Sequence, residues 1–282
     1  MELLETAREL LDFICDELYF GYKIDSNITK YGCSAFSTET IDNKHLFGRN
    51  FDLNQSSVLS VYTNPKKGYA SISSVSLDML SVGRQNKITE TSMLGKIAML
   101  ASPYIAVDGV NEKGLAASLL DTDVYGETHM NTNKPDILVT IAIRLLLDKA
   151  ANVDEAIKLL EKYDINTSHG WTQHIFVSDK SGNSAIIEWE NDEMKVIKYN
   201  VCTNFRMADL TDYSTKCDRF DFLDSSLKEN DKNSIEESFK YLKGAKQKNT
   251  VWSVVFNLDD FSASYAIDGD YDNIYHLSKK DF

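Results

Sequence analysis

The chain has 282 residues, is 43% hydrophobic and 26% charged, and carries a formal net charge of −13. A chain of that length buries a sizeable core without disulfides or metals, and its acidic surface repels phosphate backbones, which argues against nucleic acid as a partner. No apolar run reaches 18 residues, so no membrane insertion is expected; Met1-Glu2-Leu3-Leu4-Glu5 is acidic where a signal peptide is basic, which points to the cytoplasm.

Leu3, Leu4, Ala7, Leu10, Leu11 and Ile14 recur at spacings of three and four, the stripe of an amphipathic helix. Residues 3–17 read either as a first helix packed on the body or as a detachable pro-helix; the two are compatible. From Cys33 the texture becomes β. Ser34–Thr38 alternates, Asp42-Asn43-Lys44 is turn chemistry, and His45–Asn50 returns as the second strand of a hairpin. Val58–Thr63, Ala70–Val75, and Ile105–Val107 with Leu115–Leu120 read as further strands. Pro135 sits where a first-turn proline belongs, ahead of a buried helix over Ile137–Lys149. Asn152 with Glu155 has capping-box spacing before a second helix. Strands resume at Gln173–Ser178, Ser184–Trp189 and Lys195–Tyr199. Helices follow at Lys216–Leu227 and Ser234–Leu242, then strands at Val251–Asn257, Ser262–Ile267 and Asn273–His276. This order lacks the alternation of a doubly wound fold; it suits antiparallel sheets with helices on their outer faces, an α+β class. No linker divides residues 33–282, which read as a single domain behind a 1–32 pro-segment.

Four cysteines (Cys15, Cys33, Cys202, Cys217) form no CxxC pair, and the five histidines have no close ligand spacing, so neither metal nor cofactor is expected. A lone cysteine is ordinarily an inert buried side chain. Cys33 differs because Gly32 leaves the preceding peptide bond open and the hairpin can return Arg49 beside it. A fixed cation lowers a thiol from its usual pKa of ~8.5. Asp52 could then hold Arg49 together with a freed α-amine. Glu188 and Glu190 share a strand face and read as a hairpin rim, His174 as a satisfied core histidine, and Trp171 and Trp189 as core or pocket wall.

Cys33-Ser34-Ala35-Phe36, followed by His45-Leu46-Phe47-Gly48-Arg49-Asn50-Phe51-Asp52, resembles the opening of the choloylglycine hydrolase family. Asp108–Leu115, His174–Asp179 with Ile186-Ile187-Glu188, Cys202-Thr203-Asn204 and Asp218-Arg219-Phe220 resemble later family segments in the same order. The resemblance implies a four-layer αββα sandwich and an N-terminal-nucleophile amide hydrolase, matured by self-cleavage at Gly32–Cys33. It implies Cys33, Arg49, Asp52, Asn204 and Arg219 as the catalytic set, with the Asn204 side chain and the backbone N–H of Asp121 as oxyanion donors. Relatives place pocket loops where Tyr62, Leu77, Met79, Leu80 and Tyr125 fall, so an N-acyl amide with an apolar acyl chain is the expected small-molecule partner. Relatives are often dimers or tetramers. Asp121 and the 32-residue leader depart from the pattern of many relatives, and Asp121 with Asp123 so close to the site disfavours an anionic bile salt. An acyltransferase using the same thioester, or a dormant relative that only binds, are the alternatives.

Overall fold

The computed structural model describes residues 32–282 apart from 54–55, 81, 84–87, 168–169 and 209; the expected helix over 3–17, and the pro-segment up to residue 31, lie outside the described residues. The described residues open with the anticipated hairpin, β1 (Gly32–Glu39) and β2 (His45–Asp52), closed by a turn in which Asn43 adopts φ 60°. Asn tolerates that left-handed conformation better than most residues. The register sets Cys33 opposite Phe51, Ala35 opposite Arg49 and Phe36 opposite Gly48. Gly48 is required there: a Cβ at this position would lie 2.6 Å from the Phe36 ring.

Next come β3 (Val58–Thr63), β4 (Ser71–Ser76), the short helix α1 (Met93–Ala98), β5 (Asp108–Asn111) and β6 (Leu115–Tyr125). The strand expected at Ile105–Val107 therefore starts three residues later. Asp136–Leu138 is not the first helical turn but a short strand, β7, paired in parallel with β8 (Asp164–Asn166). Pro135 leads into that strand, and the helix α2 spans Val139–Lys149. α3 (Val153–Leu160) is capped as expected, the Asn152 side chain accepting from the Glu155 N–H at 2.9 Å.

The remainder is β9 (Trp171–Asp179), β10 (Ser184–Glu190), β11 (Glu193–Ile197), β12 (Val201–Cys202), α4 (Asp218–Glu229), α5 (Ile235–Ala245), β13 (Thr250–Asn257), β14 (Ser262–Ile267) and β15 (Asp270–Ser278). One sheet runs β12-β1-β2-β13-β14-β15 and the other β11-β10-β9-β6-β5-β4-β3, antiparallel throughout. α4 and α5 pack on the first sheet, α2 and α3 on the second, which gives the four-layer αββα arrangement. Phe36, Phe47, Phe51, Phe176 and Trp252 are fully buried in the main core, with Phe51 and Trp252 stacked at 4.0 Å between centroids. A second core joins Ile143, Leu146, Leu147 and Leu160 to Leu119, Ile175 and Ile187 of the second sheet. Among the described residues no helix is long and apolar enough to cross a membrane.

Candidate active site

Side chains alternate between the two faces of a strand. Cys33, Ala35, Arg49 and Phe51 therefore point from the first sheet toward the second, whereas Asp52 points the other way, toward α4. This parity decides the pairing of the charged groups. Arg49 is completely buried and donates to the Val107 carbonyl at 2.8 Å, the Leu119 carbonyl at 2.6 Å and the Asp108 carboxylate. Its Nη2 also stands 3.4 Å from Cys33 Sγ. The carboxylate that holds Arg49 is thus Asp108, on β5 of the opposite sheet, and not Asp52 as anticipated: residues three apart on a strand face opposite sides.

Asp52 serves another arginine. Its Oδ2 accepts from Arg219 Nη1 at 3.2 Å and its Oδ1 from Thr250 Oγ1 at 2.5 Å. Burial pushes the Asp52 carboxyl up to about 6, against the pull of Thr250, Arg219 and Arg49. Arg219, in the first turn of α4, reaches back over the end of β1. It donates to the Cys33 carbonyl and to Asn204 Oδ1, both at 2.9 Å.

Asn204 follows β12 directly and meets Cys33 from the side. Its Oδ1 accepts from the Cys33 N–H at 2.6 Å, and its Nδ2 donates to the Asp121 carbonyl at 2.6 Å. Two donors meeting Oδ1 and an acceptor meeting Nδ2 fix the orientation of the amide. The Asp121 atom turned to Asn204 is therefore its carbonyl oxygen; the Asp121 N–H, expected as a second oxyanion donor, is a different atom on which this contact does not bear. The Asp121 side chain is buried and accepts from Gln173 Nε2 at 2.8 Å. Asp123 takes the Arg206 N–H at 3.1 Å.

The anticipated lowering of the thiol pKa by Arg49 is overridden. With the Gly32–Cys33 bond intact, burial raises the Cys33 thiol to about 11, although Arg49 pulls it down; Asp52 adds to the rise. Desolvation penalises the charged thiolate more than one cation at 3.4 Å repays it.

The five residues Cys33, Arg49, Asp52, Asn204 and Arg219 are thus gathered in one hydrogen-bonded cluster with Asp121 at its edge. Of the five pocket candidates, three share one cluster and two lie outside it. Leu77 and Leu80 are buried in a separate core with Val75, Ala98 and Ile141. Half-buried Met79 packs against both that core and the main one, and half-buried Tyr62 packs against the main core, stacking on Phe282 at 5.6 Å. Tyr125 is 79% exposed and meets Trp171 edge-on at 5.4 Å. Glu188 is not on a rim: only 2% exposed, it accepts from His174 and from the Met207 and Ala208 N–H groups. Sequence reasoning also passed over Asp108 and Thr250. Asp108 opens the Asp108–Leu115 segment, and a carboxylate directly after the apolar run Ile105-Ala106-Val107 was its one signal. Thr250 gave none.

Two antiparallel sheets stacked between helix layers, with the cysteine cluster at the end of β1, define the N-terminal-nucleophile hydrolase fold. Residues 33–237 match the linear amide C-N hydrolases, choloylglycine hydrolase family, and the chain belongs to that family. A penicillin V acylase of Pectobacterium atrosepticum is 39% identical over 110 residues, 34% of this chain and 29% of that protein. A bile salt hydrolase/transferase of Clostridium perfringens is 27% identical over 180 residues, 60% of this chain and 51% of that protein. These alignments thus span 29% and 51% of the curated relatives' own lengths. Among solved structures, a conjugated bile acid hydrolase of Clostridium perfringens superposes with a TM-score of 0.64 at 18% identity, covering 89% of this chain and 93% of the other. A penicillin V acylase of Agrobacterium tumefaciens gives 0.59 at 18% identity, covering 88% and 86%. At that identity the likeness shows the fold.

Proposed function

We propose that this chain hydrolyses a linear, non-peptide amide bond of an N-acyl substrate through a thioester on Cys33, after the Gly32–Cys33 bond has been cut. The observation that carries this reading is that both reactive atoms of Cys33 are engaged at once. Its nitrogen donates to Asn204 at 2.6 Å and its sulfur faces Arg49 at 3.4 Å. Residues 33–282 form the catalytic domain and residues 1–32 the pro-segment.

Maturation uses the same groups as turnover. Sγ attacks the Gly32 carbonyl carbon, the Gly32–Cys33 C–N bond breaks, and the Cys33 nitrogen takes the thiol proton. Water then cleaves the thioester, leaving a Gly32 carboxylate and a free Cys33 thiol and α-amine. That amine, with an ordinary pKa of ~7.7–8, accepts the thiol proton during attack on substrate and passes it to the departing amine. Once it has taken that proton, the ammonium is a second cation beside Arg49 and offsets the burial that keeps the thiol protonated in the uncut chain. The Asn204 side-chain N–H and the Asp121 backbone N–H stabilise the tetrahedral oxyanion, a contribution of about 3–4 kcal/mol for one donor. Asp52 and Arg219 hold the Cys33 end of β1 in place.

The acyl group is proposed to be apolar. Asp123 and the enclosed Asp121 carboxylate disfavour an anionic one. Acyl transfer to an amine is a second reading, because one relative is named both hydrolase and transferase; product analysis with an added amine separates the two. A dormant binding protein is the third, and it predicts an intact chain. The test is a denaturing intact mass of freshly purified chain beside Cys33→Ala. The expected result is a wild-type mass starting at Cys33, or residues 1–32 as a separate fragment, with the variant whole. Two whole chains at every pH would overturn the mechanism.

A further inference from the structure

Segment 202–208, which carries Asn204, is fastened at both ends by one pair of side chains from the opposite sheet. His174 (β9) and Glu188 (β10) lie one residue beyond the last β9–β10 rung, Ile187–Ile175. His174 Nδ1 and Glu188 Oε1 are 3.0 Å apart, and the ring is fully buried. At one end of the segment, His174 Nε2 stands 3.5 Å from Cys202 Sγ, and Cys202 is the residue that pairs with Ala35 of β1. At the other end, Glu188 accepts from Met207 N–H at 2.9 Å and Ala208 N–H at 2.8 Å. Asn204 lies between these two anchors. Burial alone would strip the charge from His174, but Cys202 and Glu188 raise it to about 10; the carboxylate is held below its usual range by the same contact.

We propose that His174 and Glu188 form a clamp that positions Asn204 between Cys33 on one sheet and Asp121 on the other, and so sets the oxyanion site. The proposal rests on the reading of Asn204 as an oxyanion donor. Neither His174 nor Glu188 touches substrate; each acts through the segment it holds. A Gln at position 188 would turn an N–H₂ toward donors at His174, Met207 and Ala208, and an acceptor of several N–H groups is not replaceable by an amide of the same shape.

The chemistry of thiol modification supplies a test that separates positioning from folding. Acylation of a cysteine passes through a tetrahedral oxyanion; alkylation by iodoacetamide is a direct displacement at carbon and does not. Matured wild type, Glu188→Gln and His174→Gln are compared for acylation of Cys33 by p-nitrophenyl acetate and for alkylation, both followed by intact mass, with Cys33→Ala as the blank. Loss of a whole donor is worth about 10²–10³ in rate, so displacement of one is expected to slow acylation about 10–100-fold, with alkylation within about threefold of wild type. Thermal melts accompany each variant, and His174→Gln, which keeps a donor toward Glu188, stands in if Glu188→Gln does not fold. Equal acylation rates in a folded variant, or acylation and alkylation falling together, would overturn the clamp while leaving Cys33 as nucleophile. A wild type whose Cys33 takes neither label would instead remove the proposed function, and the clamp with it.

Discussion

Replacing Arg49 by Met removes the cation that pairs with Asp108 from the facing sheet while keeping an unbranched side chain of similar reach. Four acceptors lose a donor: Val107 O, Leu119 O, Cys33 Sγ and the Asp108 carboxylate. Val107 O retains the Leu119 N–H at 2.9 Å, so that carbonyl contributes little to the loss. The carboxylate dominates, because Asp108 is fully buried. Breaking a buried pair from one side destabilises by about 3–5 kcal/mol, a large part of the ~5–15 kcal/mol that holds a domain together. Asp108→Asn added to Arg49→Met removes the stranded charge and is expected to restore about 2 kcal/mol of that. Urea unfolding followed by tryptophan fluorescence reads the change, Trp252 being fully buried against Phe51. The deficit of the single variant should also shrink in acid, where Asp108, already pushed up by burial, takes a proton. A single variant within about 1 kcal/mol of wild type, or a double variant less stable than the single, would refute the claim that this ion pair is held by mutual neutralisation.

Two further outcomes follow from the same sheet. The Asp52 pKa rises from its ordinary 3.8 to about 6 on folding, so between those values the native chain binds more protons than the unfolded one and stability falls as pH rises. The fall amounts to about 3 kcal/mol across that window and should be absent in Asp52→Asn, read as the difference between the two unfolding curves at each pH. Gly48→Ala sets a methyl 2.6 Å from the Phe36 ring and is expected to destabilise by about 1–3 kcal/mol; Phe36→Leu in the same chain should recover much of it, and a neutral Gly48→Ala would show that the strands part easily there.

What could be read from the residues alone follows the range of the interaction. The β1–β2 hairpin was legible because its turn residues and alternation are local, and so was the Asn152 cap. The ordered run of segments from Cys33 to Arg219 also marked the five residues that the fold collects. Contacts between sheets left no such trace. Asp108 is 59 residues from Arg49, and no local pattern distinguishes it from Asp52, which only strand parity rules out. Pro135 misled because a proline that can open a helix can equally lead into a strand; the partner at Asp164–Asn166 decided it. Glu188 read as a rim residue since two carboxylates near a turn usually are, whereas its three donors come from elsewhere in the chain. The direction of the Cys33 shift was missed because hairpin spacing reports a neighbouring cation and says nothing of desolvation.

Strand β6 pairs with β9 rung by rung as far as Asp121–Gln173, then slips register before Tyr125–Trp171. Such an irregularity absorbs an added or deleted residue without moving the rungs on either side. Asp121, bonded to Asn204, lies on the regular side; exposed Asp123 and Tyr125 lie beyond it. Length changes at 122–124 can therefore be absorbed without shifting the Asp121–Gln173 rung, so long as the Asp123 contact with the Arg206 N–H in the segment carrying Asn204 is kept. Libraries of loop insertions aimed at new acyl groups belong at this break rather than at either end of β1.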